Sequence, residues 1–217
     1  MFKNFKNKNN GVTLVELMVV ISIFAIISTT VLVDYRNFSS SVVTQNLADD
    51  IALSVRKAQS YAIGVRGSSG SFNQGYGIHF ANSDFISGIS GSNKSFVLFS
   101  DMGAQNKQYD YNNSSCGTPV EGNECMEVLS INSANEISEI VLIDNNNEKE
   151  VVPQKGVADI VFIRPNPEPV FCYRSNIQSL SCVNKKITMV KIKVSSIADP
   201  SIYRIITISN NGQISIL

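Results

Sequence analysis

Three stretches of the chain differ in how their hydrophobic and polar positions alternate. Residues 12–33 are almost continuously apolar, with Glu16 as the single ionisable residue in 22 positions. At a rise of ~1.5 Å per residue this stretch makes a helix of roughly 33 Å, enough to cross a hydrocarbon core. Beyond it the apolar residues become periodic. Tyr35, Phe38, Val42, Val43, Leu47, Ile51, Val55, Ala58 and Ala62 recur at steps of three or four, with one slip at Val42–Val43. That spacing predicts one face of an amphipathic helix, with Asp49, Asp50, Arg56 and Lys57 largely off the stripe. No proline interrupts the span, and Gly64 and Gly67 supply a stop. The pattern predicts one helix from near Val12 to about Ile63, roughly 75–80 Å long, its second half packed on the rest of the chain.

From Tyr76 the signals switch to strands. The expected strands are Tyr76–Phe80, Ser95–Phe99, Met126–Ile131, Glu139–Ile143, Ala158–Ile163, Ile187–Val194, Arg204–Ile208 and Gln213–Leu217. Asn210-Asn211-Gly212 between two apolar runs marks a hairpin turn. Pro165, Pro167 and Pro169 read as an exposed connection. The expected fold class is α+β, a long N-terminal helix on an antiparallel β-sheet head. The expected divisions are a leader at 1–11, a membrane helix at 12–33, its amphipathic continuation at 34–66 and a β-rich head at 67–217.

Charge sets an orientation. Lys3, Lys6 and Lys8 precede the apolar run with no acid among them, so the positive-inside rule keeps the first residues in the cytoplasm and the head outside. Lysine plus arginine and aspartate plus glutamate each total 18. Bulk attraction to nucleic acid or anionic lipid is not indicated. The four cysteines suit an oxidising exterior. Two local disulfides, Cys116 with Cys125 and Cys172 with Cys182, are the favoured reading, although four cysteines allow three connectivities and free thiols are the alternative.

A secretory signal peptide has a shorter apolar core and a small-residue cut site after it. A plain anchor leaves Glu16 unexplained. The run Gly11-Val12-Thr13-Leu14-Val15-Glu16-Leu17 resembles the type IV prepilin signature, with Val12 where phenylalanine is usual. The resemblance implies cleavage between Gly11 and Val12 by prepilin peptidase, N-methylation of Val12, and Glu16 as the fifth residue of the mature chain. In that family the acid pairs with the N-terminal amine of a neighbouring subunit. An intramembrane acid needs such a partner, because it costs roughly 2.5–3.5 kcal/mol at the helix centre and less near an end. The head segments Leu47–Ala62, Gly75–Ile78, Phe96–Asp101 and Ile206–Ile214 resemble the H-type (GspH/FimT-like) minor pseudopilins.

No catalytic constellation is expected. The single histidine, His79, lies between Ile78 and Phe80 in an expected strand and reads as a surface or satisfied imidazole. No zinc spacing or phosphate loop occurs, and neither a cofactor nor a metal is expected. The loop from Asp101 through Asn106 to Asp110 lacks the acid density of an EF-hand and reads as solvated rather than calcium-binding. Lys185, Lys186, Lys191 and Lys193 form the one basic cluster, which strand alternation would split across two faces.

These readings lead to a non-enzymatic minor pilin or pseudopilin, single-pass in the inner membrane and incorporated into a type IV pilus-like or type II secretion-like filament. The implied partners are prepilin peptidase, other pilins and the inner-membrane assembly platform. The alternatives are a competence-type subunit whose head binds DNA and an ordinary anchored domain that is never processed.

Overall fold

The computed structural model describes residues 11–64, 74–82, 91–102, 106–110, 116–117, 123–153, 156–166, 168–175 and 186–217. Helix α1 covers Leu14–Ile63, and ten strands follow among the described residues. These are β1 Gly75–Asn82, β2 Ser95–Asp101, β3 Cys125–Ser130, β4 Asn135–Asp144, β5 Lys149–Val151, β6 Gly156–Phe162, β7 Pro169–Arg174, β8 Ile187–Ser196, β9 Tyr203–Ser209 and β10 Ile214–Ile216. The chain divides into two compact units, one ending at Ser40 and one spanning Ser41–Leu217.

The second unit holds two five-stranded sheets, ordered β3-β2-β1-β6-β7 and β10-β9-β8-β4-β5, with every pairing antiparallel. The C-terminal part of α1 shares one core with both. Leu47, Ile51 and Val55 pack with Tyr76, Ile78, Phe80, Phe96, Leu98, Ile160 and Phe162 of the first sheet, and with Ile140, Val190, Ile192 and Ile206 of the second. Full burial of each large aliphatic side chain contributes roughly 1.5–3 kcal/mol. Ala48, Ala52, Ala58 and Ala62 are also buried on α1, and their small side chains let the helix backbone approach the sheets. Polar links flank the contact: Arg204 Nε donates to Gln45 Oε1 at 2.7 Å, and Lys57 Nζ to Glu127 Oε2 at 2.7 Å.

The docked face begins at Thr44 and Leu47. Tyr35, Phe38, Val42 and Val43, which belong to the same sequence stripe, are exposed. The slip at Val42–Val43 is where the stripe changes from an unburied face to one covered by the sheets.

Two strands escape the sequence pattern. β5 is three residues long, too short for alternation to register. β7 starts at Pro169, so the expectation of an exposed proline-broken connection fails there: Pro169 is buried and pairs with Phe162 at the edge of the first sheet. A proline lacks an N–H to give a neighbour, and the first residue of an edge strand is a position that tolerates this. Pro165 is exposed, and Pro167 lies outside the described residues. The expected hairpin joins β9 to β10, with Gly212 at φ 81°.

Period-two alternation gives the first sheet a second, outward face. Val97, Phe99, Cys125 and Val161 make a small core there with Tyr109. Gly77, on the central strand β1, opposes Phe99. A Cβ at this position would lie 2.7 Å from Ile160 O and 2.8 Å from the Phe99 ring. Backbone on one side and a packed ring on the other leave no room to relax. Gly77→Ala is expected to destabilise the second unit by about 1–3 kcal/mol, read as a lowered urea midpoint.

Candidate functional site

The N-terminal segment shows how the helix begins. Gly11, Val12 and Thr13 are non-helical and exposed, so α1 starts two residues later than the apolar pattern predicts. The reason is a reciprocal cap. Glu16 N donates to Thr13 Oγ1 at 3.3 Å, while Thr13 N donates to Glu16 Oε2 at 2.8 Å. Thr13 Oγ1 also donates to Glu16 Oε2 at 2.9 Å. This is the S/T-x-x-E capping box, in which residues at N-cap and N3 satisfy each other's backbone donors. An acid in the first turn further complements the helix dipole. The sequence reading assigned Glu16 only an intermolecular partner; the Thr13-x-x-Glu16 spacing carried this second signal.

From Leu14 to Leu32 the mean hydropathy is 2.4 and no side chain is buried. The hydroxyls in this stretch are satisfied along the helix: Ser22 donates to Met18 O, Thr29 to Ala25 O and Thr30 to Ile27 O, each at 2.8 Å. Such internal bonding is what a lipid environment demands of a polar group. A continuous apolar surface of this size needs lipid or other helices around it.

The outward face of the first sheet carries the other chemistry. His79 on β1 and Asp159 on β6 are directly opposed, and Arg174 on β7 points to the same side. Asp159 Oδ1 is hydrogen-bonded to His79 Nδ1, and Asp159 Oδ2 accepts from Arg174 Nη2 at 2.9 Å. His79 and Asp159 are fully buried and Arg174 nearly so. His79 is therefore a satisfied core imidazole. Arg174 Nη2 also reaches Tyr109 O at 3.3 Å, and the Tyr109 ring sits 4.8 Å from that of His79 and 5.3 Å from that of Phe99. Close by, burial pushes the Asp101 carboxyl up to about 6 and that of Glu124 up to about 8. Sequence alone did not single out Asp159, Arg174 or Glu124, because they lie far apart in the chain and only the strand register brings them together.

Cys116 and Cys125 form a disulfide with Cα atoms 4.8 Å apart. Cys172 is disulfide-bonded as well; its expected partner Cys182 lies outside the described residues, as do Lys3, Lys6, Lys8 and Lys185. Lys191 and Lys193 share one face of β8 rather than being split, since they are two residues apart. Glu139 opposes Lys193, whose Nζ lies 4.6 Å from the Tyr203 ring centroid. Among the described residues, no group of histidine, cysteine, aspartate and glutamate side chains is arranged to hold a metal ion.

Residues 6–32 match the family model described as the prokaryotic N-terminal methylation motif. No curated protein and no solved structure matches the chain. The motif coincides with the capped start of the exposed apolar helix, and the helix continues onto an antiparallel β head. It implies processing by prepilin peptidase and assembly with other pilins. The chain thus carries the N-terminal methylation motif of prepilins at the start of an apolar helix long enough to cross a membrane.

Proposed function

We propose that this protein is a minor pilin or pseudopilin of the H-type branch, cut between Gly11 and Val12, N-methylated on Val12, and assembled through residues 12–33 into a type IV pilus-like or type II secretion-like filament. The observation that carries the reading is the methylation motif placed at the exposed, non-helical Gly11–Thr13 stretch beside the apolar helical segment Leu14–Leu32, which has no buried side chain. A peptidase needs an extended, accessible bond, and the N-cap at Thr13 keeps the helix from running through it. The three leader lysines support a cytoplasmic N-terminus and an external head. The branch assignment rests on the resemblance of Leu47–Ala62, Gly75–Ile78, Phe96–Asp101 and Ile206–Ile214. These residues form the docked helix face, the start of β1, β2 and the terminal hairpin. In the precursor Glu16 serves the cap; after cleavage it also lies beside a new ammonium group, its own or a neighbour's.

Mass spectrometry of the membrane fraction tests this reading. An N-terminal peptide beginning with N-methyl-Val12 is expected. An intact N-terminus at Met1 or Phe2 in cells that contain prepilin peptidase would overturn it.

A further inference from the structure

The segment 106–110 lies against the outward face of the first sheet, held there largely by carboxyl groups. Glu124 Oε1 accepts from Met102 N at 2.6 Å, and its Oε2 accepts from Asp110 N at 3.0 Å. Asp101 Oδ2 accepts from Lys107 N at 3.1 Å, and Asp159 Oδ2 from Tyr109 N at 3.4 Å. Four backbone N–H groups between residues 102 and 110 therefore end on three buried carboxyl groups, contributed by β2, β6 and the residue before β3. Asp159 is compensated by Arg174 and His79. Asp101 and Glu124 form no ion pair among the described residues. Asp101 Oδ1 has no hydrogen-bond partner there, although the residue is only 1% exposed.

The charged groups facing this pair come from every neighbouring element. Asp110 and Lys107 lie on the segment itself, and Asp110 also accepts from Asn106 Nδ2 at 2.7 Å. Asp159 lies on β6, with His79 behind it on β1 and Arg174 on β7. Acids outnumber cations, and of the cations only Lys107 acts directly on Asp101. Burial, together with repulsion from Asp101 and Asp110, holds Glu124 in its protonated form up to about pH 8, against the two amides that favour its anion.

We propose that the seating of segment 106–110 on the first sheet is a proton-dependent clamp. Protons on the Asp101–Glu124 pair keep the segment down; their loss in an alkaline medium releases it and uncovers Tyr109. Protonation of Glu124 leaves a carbonyl oxygen for one of its two amides and weakens the bond to the other, but it removes the repulsion between the two carboxylates. The doubly ionised pair places two uncompensated charges in a water-poor site, and lifting the segment lets water reach them. The Cys116–Cys125 disulfide ties the chain beyond the segment to the start of β3, so release stays local.

Hydrogen exchange of the full chain in detergent, with disulfides oxidised and rates corrected for intrinsic pH dependence, tests the clamp. Between about pH 5.5 and about pH 9, the amides of Met102, Lys107, Tyr109 and Asp110 are expected to lose protection by at least about tenfold, while those of β8 and β9 keep theirs. Asp101→Asn keeps the oxygen that accepts from Lys107 N and removes one of the two charges, and is expected to retain protection at the upper pH. Glu124→Gln sets an NH2 against one of the two amides its carboxyl accepts from, so it is expected to protect the segment less at both pH values but to lose the pH response. Unchanged wild-type exchange across this range overturns the proposal. So does a loss shared equally by β8 and β9, or a wild-type pH response in either variant.

Discussion

Asp159→Ala is expected to lower the stability of the second unit by about 3–5 kcal/mol, because it leaves a buried guanidinium without its anion. Asp159 receives hydrogen bonds from three directions, namely His79 on β1, Arg174 on β7 and the backbone of Tyr109. Removing it takes from the Arg174 guanidinium, 4% exposed, the carboxylate 2.9 Å away and removes one of the bonds that hold the segment over the outward core. A domain of this size has only about 5–15 kcal/mol in total, so the loss is a large share of the whole. In urea unfolding followed by near-ultraviolet circular dichroism, the midpoint is expected to fall by roughly 1–3 M. Lys57→Ala provides the contrast. The Lys57–Glu127 pair has a similar separation, but its side chains are 39% and 48% exposed, so its loss is expected to cost less than about 1 kcal/mol. Equal costs for the two variants would mean that Asp159 is no better shielded from water than the surface pair.

That contrast also shows what was legible in the sequence. The long apolar run, the stripe from Leu47 to Ala62 and the Asn210-Asn211-Gly212 turn are local patterns, and each formed the element its period predicts. The helix start moved to Leu14 because Thr13 and Glu16 cap it, a relation readable at spacing three but overshadowed by the membrane argument. β7 stayed hidden because Pro169 reads as a breaker, whereas the edge of a sheet accepts it. The buried cluster was beyond reach for a different reason. His79 and Asp159 each look like an ordinary outward-facing polar residue in a strand that alternates, and Arg174 ends the strand that Pro169 hid. Only the β2-β1-β6-β7 order, plus a covering segment with Tyr109 at its centre, turns that face into an interior. Pairing order is a long-range property, and period-two alternation says which side a residue takes without saying whether that side is covered.

At the other end of the chain, Gly11→Leu is expected to abolish cleavage and methylation, leaving only full-length protein by mass spectrometry of the membrane fraction. Glu16 allows a finer separation, because it has two tasks that different substitutions divide. Within one chain it caps the helix through Thr13 N and Thr13 Oγ1. Between chains its charge would neutralise the ammonium of Val12 on a neighbouring helix. Thr13→Ala removes most of the cap, a loss of about 1 kcal/mol in the first turn, and leaves the carboxylate. Glu16→Gln preserves the acceptor that a capping box uses and removes the charge. Glu16→Ala removes both. An uncompensated ammonium placed among apolar helices costs at least ~2.5 kcal/mol at the centre, and each ~1.4 kcal/mol is a factor of ten in partition. All three variants are expected to be cut normally. In the sheared filament fraction, Glu16→Gln and Glu16→Ala are expected to fall by about tenfold or more, with Thr13→Ala close to wild type. Equal losses for Thr13→Ala and Glu16→Gln would make the helix cap the reason for the acid, and normal incorporation of Glu16→Ala would remove the amine partner altogether.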